Sequence, residues 1–174
     1  MNLKLKHIIM TVMATILLVT LLACGQNGHE GGLSGQMDHG AESRQVETGV
    51  EISHGELIIK DIWGRPGIEG ENSAAYMMLM NNAADGDRLI SAQSEVANVI
   101  ELHEVLMEND IMRMQQVEGG IEVAAGGQTQ LKPGGYHVML IGLNEDIKEG
   151  ETYPVMLQFE KSGEVEVEVQ VMQP

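Results

Sequence analysis

Across residues 165–171 every second residue is valine, with Glu166, Glu168 and Gln170 between them. A period of two cannot be one face of a helix. It is a strand with one dry side and one wet side. The same texture runs upstream in short apolar stretches. Residues 57–63 close at Arg65-Pro66-Gly67 and residues 75–80 end at Asn81-Asn82. Residues 99–107, 111–117 and 121–124 follow, punctuated by Gly119-Gly120 and Gly126-Gly127. Lys132-Pro133-Gly134-Gly135 leads into residues 136–141, and residues 155–160 precede the valine ladder. No stretch after Glu56 sustains a helical period. Short strands at regular spacing with Gly/Pro turns predict an all-β antiparallel sandwich. One Trp, one Phe and three Tyr leave its core to aliphatic side chains and methionine.

The amino end sets the compartment. Lys4, Lys6 and His7 precede an apolar run over residues 8–22, which ends in Leu21-Leu22-Ala23-Cys24. This is the build of a secretory signal, too short for a membrane span of roughly 20 apolar residues. Its last four residues resemble the lipobox of bacterial lipoproteins, which implies lipidation of Cys24. Residues 1–23 are accordingly read as a lipoprotein signal peptide. Two acyl chains on Cys24 would anchor the protein stably on the outer face of the cytoplasmic membrane or in the periplasm. Cys24 is the only cysteine, so the mature chain would have no disulfide and would rely on its packed core.

Residues 24–55 are rich in Gly, Ser, Gln, Glu and His and nearly free of large apolar residues, the composition of a flexible tether. His29, Met37, His39 and His54 lie in it, either as incidental residues or as a weak metal-collecting arm. Residues 56–174 form the single domain. The formal charge is −16, with 10 basic against 26 acidic residues. Losing Lys4 and Lys6 with the leader takes it to −18. That surface repels nucleic acid and anionic lipid, which excludes both as partners.

Two strands carry the chemistry. Side chains at i and i+2 share a face, so His137 and Met139 project together while Val138 and Leu140 point into the core. The turn before them puts the pair at the rim. Met112 and Met114 form a second such pair, and a hairpin would bring them back towards His103 and Met107. Imidazole and thioether are soft ligands that select copper(I). Zinc or iron would want thiolate, more histidines or carboxylates. A cysteine-free site also escapes disulfide chemistry in an oxidising compartment. Set against this, methionine fills cores that are poor in aromatics, which is the reading adopted for Met77, Met78, Met80, Met156 and Met172. The residues alone leave His103, Met114, His137 and Met139 open between a metal site and packing.

The segments Glu101-Leu102-His103-Glu104, Met112-Arg113-Met114 and Leu131-Lys132-Pro133-Gly134-Gly135-Tyr136-His137-Val138-Met139-Leu140 resemble the PCuAC family of periplasmic copper chaperones. Its hallmark is a His, then a Met, then a distant His-x-Met, and the likeness spans residue 56 to the end. The resemblance implies a cupredoxin-like Greek-key sandwich. It also implies copper(I) held by His103, Met114, His137 and Met139, with Met112 and Met107 in reserve. Delivery would be to the CuA centre or another copper site of a haem–copper oxidase subunit, or to another copper chaperone. Two departures stand out. Val105 occupies a place where relatives often carry a further methionine. Many relatives also have a His/Met-rich carboxyl tail where this chain has Pro174, and the 29–39 stretch would stand in for it.

Other classes fit less well. A blue-copper carrier needs a thiolate, and Cys24 lies ahead of the tether. No Gly-x-Ser-x-Gly or HExxH motif supports an enzyme. Copper storage or sensing without transfer, or a structural or assembly lipoprotein with no metal, explains the fold and anchor equally well. The last of these leaves the His/Met pairs without a role.

Overall fold

The computed structural model of the chain describes residues 49–108 and 111–173. The leader, Cys24 and the tether histidines and methionine at 29, 37 and 39 lie outside them. The described residues contain eleven strands and no helix. In chain order these are Glu51–His54 (β1), Leu57–Gly64 (β2), Ser73–Asn81 (β3), Asp87–Gln93 (β4), Ala97–Glu108 (β5) and Ile111–Gln116 (β6). Then come Ile121–Val123 (β7), Gln128–Leu131 (β8), His137–Leu143 (β9), Thr152–Phe159 (β10) and Gly163–Val171 (β11).

Hydrogen bonds join them in the order β6-β5-β9-β3-β2-β11-β10-β4-β7, with β1 on β2 and β8 on β3. One core takes Ile59, Leu79, Val138 and Leu140 from the first half of that order, and Leu89, Leu157, Phe159 and Val167 from the second. The strip of strands is therefore folded over on itself into two leaves with their apolar faces inward. The valine ladder behaves as its period demands: Val165, Val167, Val169 and Val171 are buried and Glu164, Glu166 and Glu168 are exposed. The expectation of an all-β, cupredoxin-like sandwich holds. All strand pairings are antiparallel except β11 with β2, which run parallel through Gln170 opposite Trp63 and Val171 opposite Gly64.

Two local features shape the site end. The sheet begins at Glu51, inside the segment read as tether, because Ile52 packs against the core and Gly55 closes a two-residue hairpin into β2. Its φ of 62° is the positive value such tight hairpin turns need. In β2, Asp61 has φ 54°, and the register with β3 slips between Lys60 and Trp63. This bulge inserts one residue and switches which side chains face inward. Ile62 joins the main core, and Trp63 turns to the outer face with Ala74 and Tyr76.

Candidate metal centre

The register of three neighbouring strands decides which side chains meet. β5 pairs with β9 so that His103 stands opposite His137 and Glu101 opposite Met139. On its other side β5 pairs with β6, which sets Val105 opposite Met114, Met107 opposite Met112 and His103 opposite Gln116. Paired positions share a face. Glu101, His103, Met107, Met112, Met114, His137 and Met139 therefore all project from the outer side of the sheet. Leu102, Val138 and Leu140 take the inner side and are buried.

The Lys132–Gly135 turn fixes where β9 starts. Gly134 adopts φ 77°, the Gly135 amide donates to the Lys132 carbonyl at 3.0 Å, and the Lys132 amide donates to Tyr136 at 2.8 Å. The strand then opens on His137, at the rim. The Gly135 carbonyl accepts from His137 Nδ1 at 3.0 Å and from the Val105 amide at 3.2 Å. One backbone oxygen thus ties β9's histidine to β5.

Each imidazole has one nitrogen committed and one left over. With Nδ1–H of His137 donated to Gly135, its Nε2 carries a lone pair; that atom is buried and has no partner. Nε2 of His103 meets the Glu101 carboxylate at 2.7 Å, which leaves Nδ1 of His103 as the acceptor. It too is buried without a partner. Buried polar atoms are rarely orphaned without a reason, and a ring nitrogen whose other nitrogen bonds a carboxylate or carbonyl is the arrangement metal-binding histidines use. The ring centres lie 5.8 Å apart. A metal–nitrogen bond of about 2 Å puts each ring centre about 3 Å from an ion, so the two rings are spaced to share one.

Electrostatics keep the lone pair available on His137. Burial pulls its pKa below the ordinary histidine value, the Gly135 hydrogen bond opposes this, and the nearby His103 and Arg65 add to the lowering. A cleft of about 550 Å³ opens beside His137, and Arg65, Tyr76, Met112, Met114, His137 and Met139 line it, whereas His103 does not. Met139 is half-buried, whereas Met112 and Met114 are exposed. Of these two, Met114 lies nearer the histidines, opposite Val105, while Met112 is one pleat further out opposite Met107. Met107 sits four residues beyond His103 on β5, at the hairpin end, and does not line the cleft. His54 lies elsewhere, on β1, with its Nε2 3.1 Å from the Ser162 carbonyl. Among the described residues no group of three or more His, Cys, Asp or Glu side chains is placed to hold a metal.

Four residues around the histidines are not legible as site residues in the sequence. Arg65 reads there only as part of a turn, yet its guanidinium lies 5.8 Å from the Tyr76 ring centre. Tyr76 stands 6.3 Å from the His137 ring and 4.5 Å from Trp63. The bulge at Asp61 brings Trp63 here, and a one-residue slip leaves no mark in the composition. Glu101 shows in the sequence as a strand neighbour of His103, but not as its hydrogen-bond partner.

Known proteins resemble the chain in sequence and fold. The family model described as "Putative lipoprotein LpqE-like" matches residues 57–171. "Putative lipoprotein Lxx21020" of Leifsonia xyli subsp. xyli (strain CTCB07) is 31% identical over 99 residues, which are 57% of this chain and 60% of that protein. "Uncharacterized protein RP573" of Rickettsia prowazekii (strain Madrid E) is 26% identical over 113 residues, 63% of this chain and 62% of the relative. The chain thus spans less than two thirds of the length of both relatives. Among solved structures, the "Copper-bound PCuAC domain from PmoF2" is 28% identical with a TM-score of 0.61, covering 72% of this chain and 99% of that one. The "Apo PCuAC domain from PmoF1" also reaches 0.61, at 23% identity and over 72% and 100% of the two chains, and so shares the fold. The family model covers nearly all of the strand-bearing region, and the chain belongs to the LpqE-like family, with a sandwich similar to the PCuAC domains.

Proposed function

We propose that this chain is an extracytoplasmic copper chaperone that holds one copper(I) ion between His103, Met114, His137 and Met139 and passes it on. One observation carries the reading. Two buried imidazole nitrogens with no partner, His103 Nδ1 and His137 Nε2, face the same side of the sheet as two thioethers. The four donors are neutral and soft, which favours a monovalent, polarisable ion over a divalent one that would want oxygen ligands. The copper-bound relative supports copper as the cargo. Cys24 supports an anchored location, and the lipoprotein relative agrees with it.

The chain's residues divide the work. Glu101 and the Gly135 carbonyl orient the rings and fix their tautomers. Burial lowers the pKa of His137 and so favours the neutral ring that a metal needs. Met114, on the exposed side of the cleft, is the ligand an acceptor can displace. The recipient we infer is a copper site of a haem–copper oxidase or a second chaperone, and the role is carriage without catalysis.

Titration of the protein against a chromogenic copper(I) competitor tests the site. Replacing Met114 and Met139 together by Ile should abolish competition, and retained affinity would show the ligand set to be wrong. Mixing the loaded protein with an apo oxidase copper domain tests carriage. Metal that stays put would favour storage or sensing.

A further inference from the structure

β6 is the last strand in the sheet order; β5 covers one of its edges and no described strand covers the other. All six of its residues are exposed. The hairpin it makes with β5 also gathers exposed apolar side chains, Leu106, Met107, Ile111, Met112 and Met114, each between 42% and 67% exposed. Leu106 and Ile111 lie on the face opposite the three methionines, so both faces of the hairpin offer apolar surface. Clustering of this kind marks an interaction site more than scattered surface residues do.

The phase of the ladder says which backbone groups are offered. The Val117 amide donates to the Leu102 carbonyl at 2.8 Å, so the alternation of an antiparallel pair turns Gln115 and Arg113 inward to β5. The amides and carbonyls of Met112, Met114 and Gln116 then point outward. Val105, opposite Met114, agrees with this phase, since its amide turns away from β6 to Gly135. Protected edges carry lysine, proline or a bulge. β6 carries only Arg113, whose guanidinium reaches back to Glu108 at 3.4 Å.

The occupant follows from charge and length. The chain carries a formal charge of −16, and the hairpin contributes Glu101, Glu104 and Glu108. A second copy would bring like charge to a six-residue strand, too little contact for a stable interface of about 800 Å² per partner. An extended cationic segment fits instead. A side chain laid opposite Met114 would stand about 5 Å from it on the same face, within reach of the cleft.

We propose that the open edge of β6 is the docking strand of the metal-exchange partner. The partner adds an extended, cationic segment with imidazole or thioether side chains at alternate positions. The ligand-bearing face of this proposal rests on the copper reading above, whereas the strand addition does not. The test is amide hydrogen exchange on the full chain, with and without a peptide of alternating lysine and methionine as long as β6. Exchange at Met112, Met114 and Gln116 should slow by about threefold to tenfold, the scale of one net backbone hydrogen bond. A glutamate-for-lysine peptide should do nothing. Gln116→Pro removes an outward amide without touching the β5 ladder, and should weaken the peptide while leaving copper(I) affinity unchanged. Unaltered exchange at β6, or equal binding by Gln116→Pro, would overturn the proposal. So would protection that appears without peptide and grows with protein concentration, since the occupant would then be a second copy. Peptide protection in a protein that fails to bind copper would uphold the docking strand and refute only the copper reading.

Discussion

Removing the Glu101 carboxylate should cost copper(I) affinity even though Glu101 is not a proposed ligand. Its Oε2 lies 2.7 Å from Nε2 of His103, and the two side chains are 28% and 14% exposed. The bond does two things. It fixes the tautomer that leaves Nδ1 free, and its negative charge makes that nitrogen a better donor. Changes to such partners cost about tenfold to a hundredfold in metal affinity, or about 1.4–2.7 kcal/mol. The partial exposure of Glu101 argues for the lower half of that range. Glu101→Gln keeps an acceptor and loses the charge, so its effect should be smaller than that of Glu101→Ala, which loses both. Glu104→Gln is the control, because Glu104 projects from the other face and bonds Gln115 at 2.9 Å. Competition against a copper(I) chelator reads all three. An Ala variant that remains folded and binds as tightly as wild type would refute the argument that Glu101 prepares His103.

Gly120 should not tolerate a side chain: its φ is 75°, and an added Cβ would lie 2.6 Å from the Leu89 carbonyl oxygen. Gly120→Ala should lower stability by about 2–4 kcal/mol in thermal or urea unfolding. Asp87 should make the fold acid-sensitive. Burial raises its pKa, but hydrogen bonds from the Ser162 hydroxyl and the Lys161, Arg88 and Ser162 amides outweigh this and hold it below the ordinary value. A depressed carboxyl contributes stability above its unfolded pKa and loses it as pH falls through the folded one. The stability gap between wild type and Asp87→Ala should therefore be full at neutral pH and shrink on acidification. Trp63, the single tryptophan, stacks 4.5 Å from Tyr76, itself 6.3 Å from His137. Its emission should change as copper(I) is added and should stop changing at saturation, and a flat signal in a protein that binds copper would refute this.

What the sequence discloses depends on how many residues share a signal. β11 is legible because four valines repeat the same statement. β4 hides because Asp87 and Ser91 dilute its Leu89 and Ala92, and β8 hides because only Leu131 of Gln128–Leu131 is buried. β1 has a single packed residue, Ile52. At the site, the shared face of His137 and Met139 follows from spacing alone. The pairing of His103 with His137 is a matter of register between strands distant in sequence, and no local pattern contains it. The same holds for the Gly135 carbonyl, whose role depends on backbone position and not on residue type.

The site also joins two kinds of support, and this bears on release. His103 and His137 belong to strands with neighbours on both sides, and each ring has its second nitrogen tied down. Met114 belongs to an edge strand and is 53% exposed. Local opening is cheapest where backbone bonds and buried contacts are fewest, so the thioether side of the cleft gives way before the imidazole side. A carrier needs this asymmetry, because an acceptor must replace ligands one at a time while the ion stays bound to something. Four donors on buried central strands would hold copper as firmly and surrender it slowly. Under the proposed function, Met114→Leu should therefore change the rate at which a chelator withdraws copper, whereas a change at His137 should remove binding itself. Equal effects on rate and on affinity at the two positions would mean that the division between anchoring and releasing ligands is wrong.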